Sequence, residues 1–250
     1  MTRPNDTDAQ VARSVALQAA ALLRNLCAAG NCIDADLKRR GDAEANTLIL
    51  DLLHAERPDD FVLSEEASDD RTRCAARRVW IVDPLDGTRE FGERREDWAV
   101  HIGLAIDGAP VAGAVALPAA HKIFVTDDSP PAFSPLPARP RMVVSRTRAH
   151  AIVQQVAEAL DAELVPMGSA GAKAMAVVEG QAEIYLHAGG QYEWDNCAPV
   201  AVALAAGLHA SRIDGSPLVY NCADPLLPDL LICRPEYAEM VLAAVAATVP

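Results

Sequence analysis

Trp80-Ile81-Val82-Asp83-Pro84-Leu85-Asp86-Gly87-Thr88-Arg89-Glu90-Phe91 decides the reading of this chain. The apolar run Val79–Val82 predicts a buried strand that stops at Asp83. Two carboxylates three residues apart at the end of a buried strand repel each other, and burial sharpens the repulsion. A hard divalent cation such as Mg²⁺, which takes oxygen ligands in octahedral array, would resolve the conflict. Pro84 fixes its own φ, Gly87 permits a tight turn, and Thr88 reads as the N-cap of a following helix. Free N–H groups at that helix start would face the same spot, so metal and anion would share a site. The same residues also read as an ordinary Asp-Gly turn followed by a cap, and the segment alone leaves both readings open.

Working outward, Phe61–Ser64 predicts a short strand running into Glu65-Glu66, and a neighbouring strand would set Glu65 beside Asp83. Asp195, after Trp194, and Asp42 each open a predicted helix, where a carboxylate also serves as a simple cap. Helices are expected over 8–29, closed by Gly30, and over 42–55, with a polar loop at 34–41 and a solvated segment at 67–78. Strands follow at 98–106, 111–117 and 122–126. Five prolines in 127–140 mark a linker near a domain boundary. The second half alternates: strand 142–145, helix 148–160, strand 164–167, helix 169–178, strand 183–187, helix 195–206, a hairpin at Asp214-Gly215, strand 230–233, and a helix from Pro235 to 246. The pattern is α+β in the first half and α/β in the second.

The 250 residues carry 22 basic and 35 acidic side chains, for a net charge of −13. A general nucleic-acid binder needs a basic surface, so a nucleic-acid polymer is not the expected partner. No stretch has the roughly 20 apolar residues of a membrane span. The N-terminus lacks a signal-peptide core. The six cysteines show no Cys-x-x-Cys pair. A cytoplasmic protein with reduced, mostly buried thiols is expected.

Ser64-Glu65-Glu66, Asp83-Pro84-Leu85-Asp86-Gly87-Thr88, Gly168-Ser169-Ala170-Gly171 through Gly180, and Trp194-Asp195 with Gly207 together resemble the signatures of the inositol monophosphatase superfamily, in order and over nearly the whole chain. The resemblance implies a layered α-β-α-β-α sandwich, with residues 1–135 carrying most metal ligands and 136–250 supplying Asp195 and substrate contacts. It implies a lithium-sensitive, Mg²⁺-dependent phosphatase. Glu65, Asp83 and the Leu85 carbonyl would hold one Mg²⁺. Asp83, Asp86 and Asp195 would hold a second, and a third would touch Glu65 through water. Asp42 and Thr88 would be the catalytic pair that takes a proton from water, and the Gly87 and Thr88 N–H groups would grip phosphate. Li⁺ would compete at the Asp195 site.

Within the superfamily, Leu63-Ser64-Glu65-Glu66, Thr88-Arg89-Glu90-Phe91, Val143-Val144-Ser145-Arg146 and His187–Asp195 resemble the bacterial bisphosphate nucleotidases, which remove the 3′-phosphate of adenosine 3′,5′-bisphosphate (PAP) in sulfate assimilation. A small-molecule bisphosphate nucleotide, PAP and also 3′-phosphoadenylyl sulfate, is the expected ligand. Candidate substrate contacts are Glu65, Leu85, Asp86, Gly87, Thr88, Ser145, Arg146, Ser169, Lys173 and Asp195. Arg146, Arg148 and Lys173 are candidates for the second phosphate, because a guanidinium fork suits it. Gly189-Gly190 would admit the nucleoside or simply turn the chain, and Tyr192 would stack on adenine or pack inward. The alternatives are action on inositol 1-phosphate or fructose 1,6-bisphosphate, and a metal-dependent nucleotide sensor without turnover. Family members are often homodimers. The segment Asp34–Gly41 departs from the family pattern: it is short and lacks the usual Thr. The third cation and loop closure are left without their customary residues, and Lys38 would be displaced.

Overall fold

The computed structural model describes residues 6–28, 34–147 and 150–248. Helices α1 (Asp8–Ala28) and α2 (Asp34–Glu56) precede β1 (Phe61–Ser64), β2 (Arg78–Asp86), the short α3 (Thr88–Gly92), β3 (Ala99–Ile106), β4 (Ala109–Leu117) and β5 (Lys122–Val125). The second half contains β6 (Arg141–Ser145), α4 (Ala151–Ala159), β7 (Glu163–Met167), α5 (Ala170–Val178), β8 (Ile184–Tyr192), α6 (Glu193–Ala205), β9 (His209–Ser211), β10 (Leu226–Cys233) and α7 (Pro235–Thr248).

Two five-stranded sheets form, in the orders β1-β2-β3-β4-β5 and β7-β6-β8-β10-β9. Strand alternation dictates how they stack. In β2, Trp80 and Val82 face a core with Val15, Leu23 and Ile49 of α1 and α2. Val79 and Ile81 face the opposite way, into a core with Met175 of α5 and Ala198 and Val202 of α6. Tyr185 of β8 and Ile232 of β10 enter that same core from the second sheet. Ile184, Leu186 and Leu231 turn outward to Val153, Val156, Tyr237 and Val241 of α4 and α7. The result is an α-β-α-β-α sandwich whose central helices α5 and α6 pack on both sheets.

Several local expectations are corrected. The strand does not stop at Asp83: β2 continues to Asp86 through a bulge, shown by the register shift between Asp83 and Asp86 opposite β3. Residues 34–41 are not a loop but the opening turns of α2, so Asp42 lies inside that helix and does not cap it. Thr88 is not the cap of α3; Gly87 is, at φ 86°. The 67–78 segment is not solvated throughout. A 3₁₀ turn at Thr72–Ala75 buries Arg73, which bonds Asp69 (2.8 Å) and Asn221 (2.9 Å). β8 runs on to Tyr192, well beyond His187, and α6 begins at Glu193 rather than Asp195. A tight turn does close at Gly215, whose N–H reaches Arg212 O (3.0 Å), but it is no hairpin, because β9 pairs with β10, which begins at Leu226. Helix α4 starts at Ala151; Arg148 lies outside the described residues, as do Gly30 and Cys32.

The proline-rich linker is strapped to the second sheet by Arg234, which bonds Ser134 O (2.5 Å) and sits 5.2 Å from the Phe133 ring. Among the described residues the thiols are not mostly buried: Cys197 and Cys233 are, Cys27 is half-buried, and Cys74 and Cys222 are exposed. Among the described residues no helix is long and apolar enough to cross a membrane.

Candidate functional site

Parallel pairing of β1 with β2 sets Ser64 opposite Val82, and the Glu65 N–H donates to Val82 O (3.3 Å). That register brings Glu65 alongside Asp83, and the two carboxyl groups share a hydrogen bond. One residue further on, the β2 bulge carries the chain outward, and the Leu85 N–H folds back onto Asp83 Oδ1 (2.9 Å). Asp86 then lands at the start of α5, where Ala170 N (3.1 Å) and Gly171 N (2.6 Å) both donate to its carboxylate. Asp195, in the first turn of α6, accepts the Tyr192 N–H at 2.6 Å. Ligand oxygens of Asp83, Asp86 and Asp195 all lie within 4.8 Å of one another.

Such a cluster is electrostatically strained. Burial and the nearby Glu65, Asp86 and Asp195 push Asp83 well above the usual carboxylate range. Asp195 is raised to about 7 by burial and by Asp86. Glu65 keeps an exposed edge, yet the protein crowded around its carboxyl and the neighbouring acids raise it to about 7 as well. Asp86 goes the other way: burial opposes its charge, but His101, the Gly171 N–H and Lys173 hold it low. The donor set is all hard oxygen with surplus negative charge, and it fits a divalent cation.

Asp42 reaches this cluster from α2. It shares a side-chain hydrogen bond with Thr88, while burial and Glu66 raise it to about 6. The Thr88 hydroxyl is also 3.3 Å from Leu85 O. Gly41 lets α2 approach this closely, because a Cβ there would meet Leu85 Cδ2 and Phe91 Cε1 at 2.9 Å. Lys38 lies across Gly92 at the far end of α3 and does not line the pocket.

A cavity of about 400 Å³ opens beside the cluster. Asp86, Gly87, Thr88, Ser145, Arg146, Ser169, Lys173 and Asp195 all line it, together with Gly189 and Gly190. Gly87 meets Ser169 there: a Cβ on Gly87 would be 2.9 Å from Ser169 Cβ, at a φ that already favours glycine. The Ser169 hydroxyl caps α5 by accepting the Ala172 N–H (3.0 Å). Lys173 is buried and donates to Ser169 O (2.7 Å) and Gly168 O. Arg146 is bound to Glu90 (2.7 Å) and Glu93 (2.6 Å). Tyr192 does not line the cavity; it stacks on Trp194 at 4.8 Å with 43% of its surface exposed. A larger cavity of about 600 Å³, lined by Leu117, Val143 and Met167, holds none of the three clustered acids.

Four contributors escape sequence reasoning. Arg89 lines the cavity, is exposed, and has no ion pair among the described residues. Arg73 and Asn221 brace the start of α6: Asn221 N and Cys222 N both donate to the buried Glu193 carboxylate at 2.7 Å. His101, fully buried in β3, touches both Asp86 and the Trp194 carbonyl. Its signal was a lone histidine in an otherwise apolar strand.

The inositol monophosphatase family model matches residues 5–249. The chain belongs to the inositol monophosphatase family. It is 53% identical over 219 residues to the 3′-phosphoadenosine 5′-phosphate phosphatase of Mycobacterium bovis, covering 84% of this chain and 82% of that one. It is 33% identical over 197 residues to the 3′(2′),5′-bisphosphate nucleotidase CysQ of Escherichia coli, covering 74% and 80%. Among solved structures, CysQ from Bacteroides thetaiotaomicron superposes with a TM-score of 0.80 at 26% identity, over 91% of this chain and 97% of that one. Inositol monophosphatase II from Staphylococcus aureus superposes at 0.79 and 21% identity, covering 94% of each chain, a likeness of fold.

Proposed function

We propose that this protein is a metal-dependent phosphatase that removes the 3′-phosphate of PAP to leave AMP. The observation that carries the proposal is the convergence of Asp83, Asp86 and Asp195 within 4.8 Å at the mouth of a polar cavity. The 53% identity to a mycobacterial PAP phosphatase supports the choice of substrate. Asp83, Asp86 and Asp195 would hold one Mg²⁺; Glu65, Asp83 and the Leu85 carbonyl would hold another. Bound there, divalent cations lower the pKa of water and offset charge on phosphoryl oxygens.

The chain's own residues do the rest. Asp42 accepts a hydrogen bond from the Thr88 hydroxyl; as the attacking water gives a proton to Thr88 Oγ, the hydroxyl's own proton would pass to the Asp42 carboxylate, which ends as the neutral acid while the water becomes the hydroxide nucleophile. The Gly87 and Thr88 N–H groups orient the reacting phosphate. The second phosphate needs a cation on the cavity wall, and among the described residues Arg89 is the exposed guanidinium that lines it. Arg146 is already committed to Glu90 and Glu93, so its role is to tie α3 to β6. The water-activating pair argues against a sensor without turnover.

Phosphate release from PAP, inositol 1-phosphate and fructose 1,6-bisphosphate, each with Mg²⁺, tests the reading. We expect kcat/KM for PAP to exceed the others by more than about tenfold, or about 1.4 kcal/mol of transition-state binding. Equal values for PAP and inositol 1-phosphate would contradict it.

A further inference from the structure

His101 occupies the tightest joint of the fold. It sits on β3 opposite Asp83 of β2, with none of its surface exposed. Helix α6 presses onto this strand so closely that a Cβ on Gly103 would lie 2.8 Å from Ala198 N and 2.9 Å from Cys197 Sγ. Helix α5 closes the other side: a Cβ on Gly171 would overlap His101 Nε2, and would lie 2.9 Å from Ala99 Cβ. Within this enclosure Nδ1 is 3.0 Å from the Trp194 carbonyl, which can only accept, so Nδ1 carries a hydrogen. Nε2 points at Asp86 Oδ2 from 3.2 Å, a close polar contact without the alignment of a full hydrogen bond. One side chain thus touches a carboxylate from the first sheet and the peptide immediately before a carboxylate from α6.

We infer that His101 is a positioning residue that sets the separation of Asp86 and Asp195, and through it the affinity of the cation site those two acids share. This rests on the metal-dependent reading above. Asp86 is held by hydrogen bonds from Ala170 N and Gly171 N, and the His101 ring packs against its Oδ2 at 3.2 Å, which limits how far the carboxylate can swing. Asp195 is fixed through its own backbone, because His101 anchors the peptide it grows from. Groups that orient metal-ligating side chains in this way are typically worth about 10- to 100-fold in metal affinity.

The test uses the full chain with His101→Asn and His101→Ala, titrated with Mn²⁺ alone by calorimetry and assayed for PAP hydrolysis across Mg²⁺ concentrations. His101→Ala is expected to weaken one Mn²⁺ site by about 10- to 100-fold and to raise the Mg²⁺ needed for half-maximal rate by a similar factor. KM for PAP at saturating Mg²⁺ stays unchanged. His101→Asn, which keeps a donor, recovers part of the loss. Folded variants that bind Mn²⁺ as tightly as the wild type overturn the assignment. If His101→Ala does not fold, the wild-type His101 ring signals followed by NMR decide the matter: they shift in step with Mg²⁺ saturation if the residue braces the site, and constant signals overturn it. A wild-type chain that neither binds Mn²⁺ nor hydrolyses PAP would instead defeat the metal-dependent reading beneath it.

Discussion

The two walls of the candidate site are built on opposite electrostatic plans. On the acidic side, Glu65 after β1, Asp83 of β2 and Asp195 of α6 crowd together with raised pKa values and too few positive partners. On the facing wall, polar groups are largely committed: Arg146 to Glu90 and Glu93, Lys173 to backbone carbonyls, the Ser169 hydroxyl to its helix cap. The first is incomplete as a set of protein atoms, and on the proposed reading it would be completed by cations. The second is largely satisfied, and among the described residues that line the cavity it leaves Arg89 as the exposed guanidinium that would meet an anionic substrate. Buried like charges persist where function needs them, because an uncompensated cluster costs stability.

That contrast can be broken most sharply at Asp83. Asp83→Asn is expected to lower kcat by about a hundred- to a thousandfold, the scale of a lost electrostatic centre in catalysis. It should leave the melting temperature of the metal-free protein equal or higher, since it removes a repelling charge. A Tm that falls by many degrees would show Asp83 to be a structural acid. The facing wall should respond more mildly. Arg89→Ala is expected to raise KM for PAP about tenfold, matching about 1.5 kcal/mol for a charge-assisted bond, with little change toward inositol 1-phosphate. Arg146→Ala should lower activity on both substrates alike, because it loosens α3 rather than a phosphate contact.

The smallest expected effect is a pH dependence of stability. Folding raises Glu65 and Asp195 to about 7 and Asp83 well above its usual range. Between about pH 4 and 7 the folded metal-free chain therefore holds more protons than the unfolded one, so its stability falls as pH rises through that window. Burial tends to lower the His101 pKa, but Asp86 outweighs it; the net upward shift acts in the same direction. Thermal melts without metal should give a higher Tm at pH 5 than at pH 8, and Mg²⁺ should restore the loss at pH 8. A metal-free Tm that climbs from pH 5 to pH 8 would mean that the acids are not strained.

What was legible in the sequence follows the same division. Glu65 beside Asp83 was legible because each follows an apolar run, Phe61–Ser64 and Val79–Val82, and parallel pairing of the two strands sets those ends side by side. The extent of β2 was hidden, since Pro84 and the Asp residues disguise a bulge as a strand end. The start of α2 was hidden because its first turns, Asp34–Gly41, are charged and show no apolar stripe; they are held instead by contacts such as Lys38 over Gly92. His101 and Arg73 have roles set by partners distant in the chain, and Arg89 by its place on a cavity built from both halves, which no local pattern records.

The most direct test of the central claim is calorimetric titration of the metal-free wild type and of Asp195→Asn with Mn²⁺ at pH 8. The account predicts that the wild type binds at least two ions and that Asp195→Asn loses one while the other remains. Identical titrations for the two proteins, or no binding to the wild type, would contradict it.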